Sequence, residues 1–186
     1  MNKKFTSALL FILITSFLHA EDKRPNFADM PFGSSRDEVK KMLSSKGYVF
    51  SKNLKNQDLL FTGEVASVKA QIAVGFNEDG KLVRTVVHLL TEDKKAIAKF
   101  RSLRESLIKK YGKPKYDAVD TFLSPYEKGD GYAEQAVKLG KGVFLTQFKG
   151  DVWLGVTEAL AVRIEYNGVL WEKEYERRKN ADNEDL

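Results

Sequence analysis

The supply of histidine and cysteine limits what chemistry this chain can perform. The sequence holds two histidines, His19 and His88, and no cysteine. His19 falls in a segment read below as a cleaved leader, so His88 stands alone. A Ser-His-Asp arrangement needs a single His, but no G-x-S-x-G elbow or similar nucleophile context is present. His88 lies on a predicted strand beside Arg84 and reads as a structural histidine on the polar side of a sheet. Zinc sites draw three or four ligands from Cys, His and carboxylates, and this composition points to no metal site. Asp117, Asp120, Glu127 and Asp130 crowd one weakly patterned stretch, but their spacing is not that of an EF-hand loop. They read as solvated loop acids. Paired-carboxylate hydrolysis has acids in plenty, with nothing to single out two. Gly140-Lys141-Gly142 precedes a strand and lacks the G-x-x-x-x-G-K-(S/T) pattern of a phosphate loop, so a hairpin or bulge accounts for it. No catalytic residue, metal ligand or cofactor is expected, and the binding residues stay unassigned.

The elements that would position these side chains follow from periodicity. Ser35 and Glu38 have the spacing of a capping box, and Val39, Met42 and Leu43 then share one helical face, which predicts a helix over 35–46 ended by Gly47. Residues 48–50 and 59–62 read as extended. Ala66, Val68, Ala70, Ile72, Val74 and Phe76 alternate with smaller or polar residues, the period of a half-buried strand. Asn77-Glu78-Asp79-Gly80 supplies a hairpin turn, and residues 81–90 return. Thr91 is placed to cap a long helix whose stripe is Ile97, Phe100, Leu103, Leu107, Ile108 and Tyr111. Its other face carries Lys95, Lys99, Arg101, Lys109 and Lys110, read as a solvated face, with an acidic partner or anionic lipid as the alternative. Residues 115–142 carry little pattern beyond a short extended segment at 121–123. Strands are predicted over 143–149, 152–157 and 160–166, and a helix over 169–179 with Leu170, Trp171 and Tyr175 on one side. Trp153 and Trp171 either close the edge of the core, the expected reading, or anchor a partner.

Helices separated by hairpin-linked strands predict an α+β fold: an antiparallel sheet of two meanders with helices packed on one face. Each half has a helix ending in a Gly-Tyr or Tyr-Gly pair followed by hairpins, a loose internal repeat whose sequence identity is too low to assert duplication. Lys3 and Lys4, the uncharged run from Phe5 to Leu18, and Ala20 before Glu21 make the three-part pattern of a secretory signal. The run is shorter than the roughly 20 residues of a spanning helix. The expected organisation is a signal peptide over 1–20, a flexible lead-in over 21–31, one domain over 32–179 and an acidic tail over 180–186. The formal net charge is +5, of which Lys3 and Lys4 belong to the signal. So mild an excess, without clustering in sequence, does not describe a nucleic-acid binder.

The segments PFGSSRDEVKKML, FNEDGKL, KKYGKPKYD and VRIEYNGVLWEKEY resemble, in that order, those of small secreted bacterial α+β proteins of uncharacterised function. The layout is similar to helix-plus-sheet envelope modules of the β-lactamase-inhibitor-protein and outer-membrane assembly-lipoprotein types. This chain has neither the lipid-bearing Cys of the latter nor the disulfides of the former. The resemblance implies a fold and an address. The expectation is an exported, periplasmic or extracellular, non-enzymatic interaction module with no lipid or transmembrane anchor, whose partner is an envelope protein or a small ligand. Two alternatives stand beside it: a carboxylate-dependent hydrolase with its site in 115–142, and a carrier enclosing a small apolar ligand.

Overall fold

The computed structural model describes residues 23–184, so the leader over 1–20 lies outside the described residues. The elements are α1 (Arg36–Ser45), β1 (Val49–Asn53), β2 (Leu59–Val65), β3 (Val68–Phe76), β4 (Leu82–Leu89), α2 (Ala96–Tyr111), β5 (Tyr116–Phe122), α3 (Ala133–Lys138), β6 (Gly142–Phe148), β7 (Val152–Val156), β8 (Val162–Asn167) and α4 (Trp171–Glu184). The eight strands make one antiparallel sheet in the order β1-β2-β3-β4-β8-β7-β6-β5. The fold is therefore α+β, with two four-stranded meanders joined where β4 pairs with β8.

Strand alternation assigns the two faces. Phe61, Ile72, Val87, Ile164, Leu154 and Thr146 stand opposite one another across successive strands and are all buried. On this face lie Val39 and Leu43 of α1 and Ile97, Phe100 and Leu107 of α2. Phe100 meets Phe144 edge-on at 5.7 Å, and Phe144 meets Phe122 edge-on at 5.9 Å, the offset geometry aromatic quadrupoles favour. The tyrosines ending α1 and α2 seat both helices. Tyr48 packs on Phe27, and Tyr111 on Phe148. A Cβ at position 63 would stand 2.6 Å from the Tyr48 ring, so only glycine lets that ring lie flat on β2.

The capping box forms as the sequence predicts, with Ser35 accepting from the Glu38 amide and the Glu38 carboxylate accepting from the Ser35 amide. Four other expectations change. Thr91 does not cap α2. Its hydroxyl donates to the Leu160 carbonyl at 3.0 Å, and the helix starts after a single 3-10 turn, capped by Lys95 without a side-chain bond. The lead-in is not a free arm over its described part, because Phe27 and Met30 fill the core. The stretch 115–142 contains both β5 and α3. Its strand pattern is hidden by a bulge between Ala118 and Thr121 and by a core-side Asp117. That carboxylate is satisfied by Arg104 of α2 and by the buried Thr146 hydroxyl at 2.8 Å. Finally, α4 runs past Lys179 to Glu184. No helix among the described residues is long and apolar enough to cross a membrane.

Phe100→Ala should remove about 3–5 kcal/mol of stability, the usual cost of emptying a fully buried phenylalanine site. Urea denaturation should show a lower midpoint with an unchanged slope.

Candidate functional site

The face opposite the α1–α2 core carries the chemistry. The pairing that buries Val87 against Ile164 turns Arg84, Val86 and His88 of β4 to the other side, opposite Asn167, Glu165 and Arg163 of β8. At the centre, Arg84 donates to one Glu165 oxygen and Arg163 to the other, the latter at 2.6 Å. The three side chains are only 21 %, 37 % and 18 % exposed (Arg84, Arg163, Glu165). Two guanidiniums on one carboxylate leave a surplus of positive charge in a partly desolvated place. Its effect on the neighbours is visible. Burial pulls the His88 imidazole below its ordinary value, and the adjacent Arg163 and Arg84 add to this against Glu165. Burial likewise lowers Arg163, reinforced by Arg84 and opposed by Glu165. The Nε atoms of both arginines are buried and have no partner among the described residues.

Beside this cluster a groove of about 420 Å³ is lined by residues including Leu145, Trp153, Gly155, Arg163 and Glu165. Gly155 forms its floor: a Cβ there would come within 3.2 Å of Leu145 and 3.3 Å of the Phe144 carbonyl. Trp153 is held in place, its indole N–H donating to Asp151 at 2.7 Å while Gln147 donates to the same oxygen. Trp153 thus stands on the face opposite α1 and α2 rather than in the core.

Trp171 is not a core residue either. Its ring lies under the Arg84 guanidinium at 4.3 Å and beside Tyr175 at 6.0 Å, so the first turn of α4 packs on part of this same face. A second cluster fixes this helix. Arg178 donates to Asp58 at 2.7 Å, to Glu174 at 2.7 Å and to the Phe76 carbonyl at 2.6 Å. Glu174 is 4 % exposed. Burial works against its charge, but the hydrogen bonds from Arg177 and Arg178 outweigh burial and hold its carboxyl below the ordinary value.

The acids of 115–142 do not converge. Asp117 is clamped by Arg104 and Thr146, and the Arg104 hydrogen bond, opposed by burial and assisted by Thr146, lowers its pKa. Asp120 pairs with Arg101 at 2.6 Å and Lys128 at 3.4 Å, while Asp130 accepts from the amides of Glu127 and Tyr132. Asp117, Asp120 and Asp130 are thus held by separate groups, while Glu127 stands exposed and contributes its amide to Asp130. No group of three metal-binding side chains occurs among the described residues. Gly140-Lys141-Gly142 links α3 to β6. The clefts lined by described residues around Trp153, Tyr111 and Arg36 are open and each bears charged side chains, unlike an enclosed apolar cavity.

Periodicity in 160–166 placed Arg163 and Glu165 on one side of a strand, yet neither stood out, because their significance lies in facing Arg84 and His88. No protein-family model matches the chain, and neither a curated protein nor a solved structure matches it significantly.

Because the folded pKa of Glu174 is depressed, the unfolded chain takes up its proton first. The stability this clamp supplies is complete above the ordinary glutamate value of 4.5 and is lost as pH falls through the lower folded value. Urea midpoints measured between pH 7 and pH 3 should fall more steeply for the wild type than for Glu174→Gln.

Proposed function

We propose that this protein is an exported, non-enzymatic interaction module of the bacterial cell envelope, working outside the cytoplasm. It engages an acidic segment of a partner protein through the part of the sheet face opposite α1 and α2 that lies beside Trp153. The observation that carries this reading is the Arg84–Glu165–Arg163 cluster. Its positive surplus is half-buried, beside a groove with an immobilised tryptophan. Arginine forks suit planar carboxylates, and tryptophan and arginine are the side chains most often found to dominate interface energetics. An antiparallel sheet can leave one face for contact while the other packs on helices. The leader pattern at 1–20 supplies the address. The engagement of Asp117 by Arg104, of Asp120 by Arg101 and of Asp130 by main-chain amides speaks against the hydrolase alternative. The apolar-carrier alternative loses its support with the open, charged clefts.

The test is capture of envelope proteins on the tagged chain from residue 21, identification by mass spectrometry, and titration of the purified partner. Trp153→Ala and Arg163→Ala should each weaken that partner's affinity at least tenfold, about 1.4 kcal/mol. Lys41→Gln on α1 should leave it unchanged. A partner whose affinity ignores Trp153 and Arg163 would remove this face from the function.

A further inference from the structure

The basic side chains of α2 fall into two groups. Apart from Lys94, those from its 3-10 entry through its middle are engaged within the molecule. Lys95 pairs with Glu92 at 2.8 Å, Lys99 donates to the Ala66 carbonyl at 2.9 Å, and Arg101 and Arg104 hold Asp120 and Asp117. In the last turn, Lys109 and Lys110 have no carboxylate partner among the described residues.

Lys110 lines an open cleft of about 560 Å³ with Lys23, Arg24, Pro25, Tyr111, Lys149 and Gly150. Four of these seven lining residues are cationic and none is acidic. They come from three separate segments: the stretch before α1, the end of α2 and the β6–β7 turn. The first is pinned rather than trailing. Pro25 sits on Gly150 so closely that a Cβ there would be 2.5 Å from its ring, and Arg24 donates to the Asn167 carbonyl at 3.3 Å. The Lys110 ammonium lies 5.2 Å from the centre of the Tyr111 ring. The negative end of the α2 dipole accounts for lysines in its last turn. It does not account for Lys23 and Lys149, which other segments bring to the same place. Holding like charges together costs Coulomb energy, and a multiply charged anion between them would recover it.

We propose that this cleft binds a phosphate-bearing anion, with Lys23, Lys110 and Lys149 supplying compact ammonium charges around it and Arg24 fixing one wall. Ammonium groups on flexible stems suit a phosphate approached from several directions. The same chemistry is offered by free phosphate species and by the headgroups of anionic lipids. The cleft shares no lining residue with the groove beside Trp153, so its failure would leave the reading of the sheet face standing.

The experiment uses the chain from residue 21, the double variant Lys110→Gln/Lys149→Gln, and a control of equal charge change on α1 and its end, Lys41→Gln/Lys46→Gln. All four lysines are exposed, and matching melting curves would certify the folds. Inorganic pyrophosphate is titrated by calorimetry. Flotation is run with phosphatidylglycerol–phosphatidylcholine vesicles and with phosphatidylcholine alone. Pyrophosphate binding without flotation assigns the free anion. Flotation on the anionic vesicles alone, reversed by pyrophosphate, assigns the headgroup. In either case the cleft variant should bind at least tenfold more weakly and the control within twofold of wild type. No saturable binding of either probe, or equal losses in both variants, would overturn the proposal.

Discussion

The pairing of β4 with β8 is the constraint on which the rest of the molecule depends. It joins residues as distant as Arg84 and Glu165, 81 positions apart, and it is the sole seam between the two meanders in the sheet. Its register puts Thr85, Val87 and Leu89 opposite Tyr166, Ile164 and Val162 on the helix-covered side. Because side chains alternate with period two, a slip of one residue would send that apolar set to solvent and bring Arg84, His88, Arg163 and Glu165 under α2. One register therefore fixes both the core and the charged face. The burial of Val87, Leu89 and Val162 holds the arginines where their charges are costly.

That cost is met unevenly across the molecule. Arg104 and Arg178 are satisfied by carboxylates and, for Arg178, by a main-chain carbonyl, so they tie β5 to α2 and α4 to the β3 end. Arg84 and Arg163 share Glu165, and Arg84 spreads its charge over Trp171. Lys110, Lys149 and Lys23 have no acid at all among the described residues. The same residue types thus stand in three settings: a closed clamp, a carboxylate shared by two guanidiniums, and a cleft lined by cations. Partners supplied by tertiary contacts decide which.

The two halves share one order, a helix followed by four strands, with α3 inserted between β5 and β6 of the second, and they meet antiparallel at β4 and β8. In the sequence this showed only as paired tyrosines and glycines at the helix ends, Tyr48 with Gly47 and Tyr111 with Gly112. The repeat was faint because the halves meet different demands. β2 needs Gly63 to admit Tyr48, whereas β5 carries Asp117 on its core side for an arginine from α2. A polar residue on the helix-covered side of an edge strand leaves no period-two signature, and the β5 bulge removes what remains. For the same reason Trp153 and Trp171 looked like core: hydrophobic type and alternation report burial on average, and not an indole fixed on a charged face by Asp151 or laid under Arg84.

By itself the sequence determined the local pieces: the capping box at Ser35 and Glu38, the hairpin at 77–80, the stripe of α2, the clean strands β3 and β8, and from their order an α+β antiparallel sheet. These rest on interactions within a few residues of one another, which periodicity records directly. Only the tertiary structure decided that Arg163 and Glu165 face Arg84 and His88, and that Asp117 and Asp120 are each held by an arginine of α2. It also decided that residues 23–25 close a basic cleft with the end of α2 and the β6–β7 turn. Each of these is a meeting of segments far apart in the chain, set by sheet register and helix placement. A linear pattern of residue types carries no term for such a meeting.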